Sequence, residues 1–368
     1  MTRDLSSADV DRYLDKLESI VDIDHVQRTS ELQRLAFSYQ EVDHVPTVIE
    51  YPVPSDEWPA YRFDEILDDP GKMLLHELRR VYAGAKLGDD RLYGIRANYG
   101  TGIIASAFGC EIRRFERTLP IALSLGRTEI DRILDAGIPD LHSGLLGRAL
   151  DTVAYYRQAL AAYPKLSRVV GSCLLDIQGP FDNASIIWGS DVFFAVYDEP
   201  DTLHRLLKLL SATIEAVVIE HRRIDCQPLE EADGKWHHLG GLCIRDDSAV
   251  NLSREQFLKF VKPYDAGLLS KWGGLVHFCG CADQWWDCLL DIPRLRGINP
   301  YQGEFYDLVN MYAKCKAAGV AIVQWTKPVE KTARSLVRTG FSRLKTVPSF
   351  VEARRALETL YRTGHADS

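Results

Sequence analysis

The sequence predicts an α/β protein, a (β/α)8 TIM-type barrel with an N-terminal helical extension, on three observations. Short apolar runs alternate with amphipathic stretches of a dozen or more residues, the alternation repeats about seven or eight times, and the glycine fingerprint of an open dinucleotide-binding sheet is missing. Spacers of that length favour parallel pairing, because parallel neighbours need a crossover connection. The nearest approach to the fingerprint, Tyr99–Gly102, lacks its third glycine.

Taken in order, the elements begin with helical spacing from Ser6 to about Tyr39, where Val10, Leu14 and Leu17 and then Leu32, Leu35 and Ala36 recur three or four apart. Residues 1–45 are expected to form the helical extension and 46–368 the barrel. The segment VPTVIEYPVPSDEWPAYR, rich in proline and β-branched residues, reads as extended chain and loop. LYGIRA reads as a strand, Asp151–Tyr163 as helix, VVGSCLLDIQGP as a strand, and Pro200–His221 as a long helix. In the second half GGLCIRD, GLVHFCG, RGINPYQ, VAIVQWT and RLKTVPS read as strands. The helices expected after them are SREQFLKFVKPYDAGLLSKWG, ADQWWDCLLDI, FYDLVNMYAKCKAAG, VEKTARSLVRTG and EARRALETLYRTG.

Composition narrows the function. The 368 residues carry a net charge of −8, with 46% apolar residues and no run of five Lys/Arg. That argues for a folded chain acting on a small molecule and against nucleic acid or an anionic membrane as partner. The start, MTRDLSSADVDRYL, places acids where a secretory leader would be basic and apolar, and no apolar stretch reaches membrane-spanning length, so a cytoplasmic location is expected. The eight cysteines are scattered, as expected of reduced thiols rather than a disulfide scaffold; Cys288 and Cys315 read as core.

The sharpest local signal is His277-Phe278-Cys279-Gly280-Cys281. Residues two apart on a strand point the same way, so His277 and Cys279 converge while Val276 and Phe278 face the opposite layer. Gly280 marks the C-terminal end of the strand, where barrel enzymes carry their chemistry. An imidazole and a thiolate there suit Zn²⁺. Cys281 has the same parity, but full extension would place it roughly 13 Å from His277, too far for one ion without a bend.

Other strand ends supply polar groups. Asp246 and Asp247 form a candidate acid/base pair, or one of them caps the helix that begins near Ser253. Asn299, Tyr301, Gln302 and Glu304 follow RGI; Glu304 is a candidate oxygen ligand or base, or else a first-turn carboxylate facing a helix dipole. Arg96, Asn98 and Tyr99 precede Gly100-Thr101-Gly102, a turn able to offer N–H groups to an anion, and with Gln324 they form the candidate cofactor-contacting set; a plain structural turn is the alternative. His237 and His238 are adjacent on the chain and so point apart, which suits a substrate-contact loop better than a shared ion. Trp285 and Trp286 read as core or as the interface of a homodimer.

Three stretches carry a family resemblance. Gly179-Pro180-Phe181-Asp182-Asn183-Ala184 with Gly189, the run from Leu252 to Tyr264, and His277-Phe278-Cys279-Gly280 together resemble the uroporphyrinogen decarboxylase superfamily over about Asp176 to Thr326. The resemblance implies a (β/α)8 barrel, in agreement with the count of alternating elements. The superfamily contains true decarboxylases and zinc-dependent methyltransferases of the methylcobalamin:coenzyme M type. True decarboxylases grip a polycarboxylate with an arginine-rich N-terminal segment; the corresponding region here reads VPTVIEYPVPSDEWPAYRFDEIL and lacks it. The resemblance therefore implies the methyltransferase branch, with zinc on His277 and Cys279, a corrinoid as methyl donor or acceptor, and a corrinoid protein as partner. That branch uses a further C-terminal cysteine, and no cysteine follows Cys315, so the third ligand falls to Glu304, Cys281 or Gln324, in that order. The alternatives are a metal-independent decarboxylase in which Asp246 stabilises a cationic intermediate, and a non-catalytic corrinoid- or tetrapyrrole-binding barrel.

Overall fold

The computed structural model describes residues 7–226 and 241–365. Its strands are β1 (Thr47–Glu50), β2 (Tyr93–Ile95), β3 (Ile112–Arg113), β4 (Ile121–Ala122), β5 (Val170–Ser172), β6 (Leu242–Arg245), β7 (Gly274–Phe278), β8 (Leu295–Pro300), β9 (Ala321–Trp325) and β10 (Phe341–Thr346). Six of them form one parallel sheet in the order β1-β10-β9-β8-β7-β6, β2 pairs with β5 in a second parallel ladder, and β3 and β4 make a short antiparallel ribbon. A mixed α/β fold with a parallel central sheet is what the sequence pattern predicts.

A few hydrogen bonds tie the two parallel ladders together on each side. Thr47 and Ile49 of β1 donate their N–H groups to the buried carboxylates of Asp90 (2.9 Å) and Asp89 (2.8 Å), just ahead of β2. On the other side, Gly179 N, beyond β5, donates to Arg245 O at the end of β6 (2.8 Å).

The N-terminal stretch expected as helix is two helices, Ser7–Ile20 and Ile23–Phe37. Asp22 divides them, accepting from the N–H groups of Asp24 and His25 as the N-cap of the second. Val10, Leu14 and Leu17 make the buried stripe of the first and join the main core. Helix Pro70–Leu87 has no counterpart among the elements expected from the sequence; it buries Leu74, Leu75, Leu78, Val81 and Tyr82 at helical spacing, with Lys72 and Glu77 buried beside them. It is bounded by Asp69 as N-cap, Pro70 in the first turn and Gly88 in the left-handed conformation.

Three expected helices differ in the structure. The stretch after β6 splits into Arg254–Phe260 and Lys262–Trp272, because Pro263 has no N–H to continue the first. After β7 there is one 3-10 turn, Trp286–Leu289; Pro293 restricts Ile292, and Trp285 is held flat against Phe257 (centroids 4.1 Å apart, planes 3° apart). Between β9 and β10, Val329, Ala333 and Val337 are buried at four-residue spacing, but the chain closes only turns, among Thr332, Ser335 and Thr339, which are weak helix formers.

Candidate metal centre

Strands β6, β7 and β8 lie in parallel register with Arg245 beside His277 and His277 beside Asn299. In-register neighbours project to the same face, so these three side chains share one side of the sheet while Ile244, Val276, Ile298 and Phe278 are buried on the other. Cys279 continues the parity of His277, and Gly280 then turns the chain with φ +91. Asp247, two residues beyond Arg245, continues the parity of β6.

The result is a compact group of three unlike donors. Cys279 Sγ lies 3.3 Å from His277 Nε2, and Asp247 Oδ1 lies 3.5 Å from the same nitrogen. Asp247 Oδ1 also accepts from the backbone N–H of Cys279 at 2.7 Å. One ligand atom from each residue fits within 4.8 Å of the others; among the described residues this is the one such group of His, Cys, Asp and Glu.

The imidazole is oriented from behind. Asn299 Nδ2 donates to Val323 O (2.7 Å), which turns its Oδ1 toward His277, where it accepts from Nδ1 at 2.6 Å. Nε2 is then the lone-pair nitrogen, and it faces the sulfur and the carboxylate. Burial lowers the pKa of His277 against the opposing pull of Asp247, which favours the neutral ring a metal needs. Burial, reinforced by the Asp247 carboxylate, pushes the Cys279 thiol up to about 12. A cation would reverse that, since its charge favours thiolate and carboxylate together.

The remaining candidates fall in different places. Asp246, adjacent to Asp247, points to the opposite face, where it is fully buried against Asp265 of helix Lys262–Trp272; burial first and the neighbouring carboxylate second hold its pKa well above the usual range. The structure therefore separates Asp246 from Asp247 instead of bringing them to one cavity. Neither caps the helix at Arg254, which Ser253 and Gln256 cap reciprocally. Glu304 is exposed, 3.4 Å from Lys327 Nζ, and lies outside the three-donor group, as does Cys281. Gln324, the penultimate residue of β9, lies in the left-handed region (φ +58), its N–H donating to Ser342 Oγ. Arg96 joins Asp176 at 3.1 Å, and Asp176 in turn holds Arg245 (3.2 Å) and accepts from Gln178 (2.6 Å). Asn98 Nδ2 donates to Glu77, whereas Tyr99 is a core residue with its hydroxyl on Thr152. Trp285, Trp286, Cys288 and Cys315 are buried. His237 and His238 lie outside the described residues.

Asp247 as the third donor and Asn299 as the imidazole's support were not assigned these roles by the sequence reading. The alternation of Cys243, Arg245 and Asp247 along β6 carried the first signal; the second required the β7–β8 register.

A parallel α/β sheet with a nitrogen, sulfur and oxygen donor set at its C-terminal edge is the class of molecule this geometry defines. No protein-family model and no curated protein matches the chain. Among solved structures it is similar to a methyltransferase from Methanosarcina mazei, with a TM-score of 0.63 and 14% identity, covering 91% of this chain and 99% of that one. At that identity the likeness is one of fold, a methyltransferase-like fold matched along nearly its whole length. No helix among the described residues is long and apolar enough to cross a membrane.

Proposed function

We propose that the chain is a zinc-dependent methyltransferase of the uroporphyrinogen decarboxylase-like (β/α)8 type, which passes a methyl group between a small or corrinoid-bound donor and a thiol. The observation that carries this reading is the convergence of His277, Cys279 and Asp247, with the Nε2 lone pair aimed into the group by Asn299. The donors fit: neutral imidazole, thiolate and carboxylate are all zinc ligands, and three protein ligands leave a position for substrate. Zinc held there supplies Lewis acidity that keeps an acceptor thiol in its nucleophilic thiolate form near neutral pH.

The chain's own residues do the rest. Cys279 gives up its proton on loading, while Asp247 stays tied to the Cys279 N–H and keeps its carboxylate beside the sulfur. Arg245, held by Asp176 together with Arg96, stands beside His277. Tyr301, about half exposed, lies edge-on to the imidazole with centroids 6.1 Å apart and walls that side. In the transfer the acceptor sulfur forms its bond to the methyl carbon as the donor's bond to that carbon breaks, and the electron pair of the broken bond stays with the donor. Asp246, the carboxylate a metal-independent decarboxylase would use, faces a helix, so the geometry favours transfer over decarboxylation.

The test is metal analysis beside turnover. Protein purified without chelator and supplied with zinc is expected to hold about one equivalent and to move methyl from methylcobalamin to a small thiol, and Cys279→Ser to lose both. A wild-type protein that stays metal-free under those conditions sinks the reading.

A further inference from the structure

The segment Gly179–Ser185 grips the turn that carries Asp247. Gly179 N donates to Arg245 O at 2.8 Å. Asp182, in the first turn of helix Pro180–Trp188 and 3% exposed, accepts from two successive backbone N–H groups, Asp247 N on Oδ2 (3.0 Å) and Ser248 N on Oδ1 (2.8 Å). Ser185 Oγ meets Ser248 Oγ at 2.8 Å. The seat is close: a Cβ at position 179 would collide with Asp246 Oδ1 and lie 3.0 Å from Arg245 O, so only glycine allows this approach. Both oxygens of a buried carboxylate are thus spent on the backbone of one turn. That turn is fixed on its other flank by the bond from Cys279 N to Asp247 Oδ1.

We propose that Asp182 is a positioning residue for the metal centre, fixing the turn after β6 so that the Asp247 carboxylate stays against His277 and Cys279. The inference rests on the metal-centre reading above and adds a residue that touches neither metal nor substrate. Asp182 acts through Asp247, which predicts a specific dependence. Asp182→Asn keeps the shape but leaves one oxygen for two N–H groups, and sets its amide N–H₂ against the other donor. Losing such outer support typically costs a metal site 10–100-fold in affinity.

Co²⁺ is the probe, titrated by its visible absorption into the full chain at fixed pH. Asp182→Asn is expected to weaken Co²⁺ binding by about 10–100-fold. In an Asp247→Ala background the same substitution should change affinity by less than about twofold, because the ligand it positions is already gone. An equal loss in both backgrounds would mark Asp182 as a general support of the fold and overturn the proposal; so would no loss in either. Ser185→Ala, at the outer edge of the same contact, gives a smaller loss in the same direction and guards against a poorly folded Asp182 variant. A metal-free arm separates this inference from the functional reading: a crystal structure of Asp182→Asn is expected to show Asp247 drawn away from His277 Nε2, against 3.5 Å in the wild type. Retention of the wild-type position there overturns the inference by itself. A displaced Asp247 in a protein whose wild type takes no cobalt sinks the metal reading and leaves the positioning contact standing.

Discussion

In the proposed metal centre, the orientation of His277 depends on a residue outside the donor group. Asn299 has its amide nitrogen committed to Val323 O, so only its oxygen is available to the imidazole. Asn299→Leu should therefore weaken zinc by about 10–100-fold, while Asn299→Asp, which still accepts from Nδ1, should lose less; competition against a chromophoric chelator reads the difference. Cys279 sets the pH dependence. Its pKa stands raised to about 12 by burial first, so loading at neutral pH must expel a thiol proton. Because burial lowers the His277 pKa, its ring adds little to the pH dependence above neutrality, and affinity should climb about tenfold per pH unit between about pH 7 and 9. A flat profile in a buffer-corrected titration would mean that the sulfur is not a ligand.

At the scale of elements, the end of β7 is held by aromatic packing rather than by a following helix. Trp285 is fully buried, stacked on Phe257, edge-on to Phe278 at 5.3 Å and bonded through Nε1 to Ala249 O at 3.0 Å. Trp285→Ala should cost about 3–5 kcal/mol in urea unfolding and loosen the loop that follows Cys279. The neighbouring helix Lys262–Trp272 carries Asp265 against Asp246, two buried carboxyls whose pKa values both stand raised, chiefly by burial. A carboxyl whose pKa is higher folded than unfolded binds extra protons in the native state. Its contribution is complete below the unfolded value near 4 and is lost as pH rises toward the folded one. For Asp265, whose folded value stands at about 7, stability should then fall between about pH 4 and 7 by up to about 1.4 kcal/mol per unit, and Asp265→Asn should flatten that slope. An equal dependence of unfolding free energy on pH in wild type and Asp265→Asn would contradict the raised carboxyl of Asp265.

For the whole molecule, the three donors come from two strand ends that meet only in the folded sheet, so zinc should bind the native chain and not the unfolded one as a unit. At one hundred times its dissociation constant zinc should raise unfolding stability by about 2.7 kcal/mol in the wild type and by far less in Cys279→Ser. Thermal or denaturant scans with and without zinc measure this. The alternation of apolar runs, the parity of His277 and Cys279 and the glycine after them were legible in the sequence, because strand periodicity and turn chemistry are local properties of the chain. Helix starts were legible at Pro200 and after Ser253, but the divisions that Asp22 and Pro263 impose and the start at Asp69-Pro70 were not, and the stretch after β7 was misread, because the packing of Trp285 overrides a helical pattern there. Tertiary structure alone decided that Asp247 and not Glu304 stands beside the imidazole and sulfur, and that Asp246 turns away to Asp265. It also decided that Asn299 backs the ring and that Asp182 reaches across from another helix. Each depends on strand register or on contacts between residues far apart in the chain, and neighbouring strands can slide past one another without changing any local pattern.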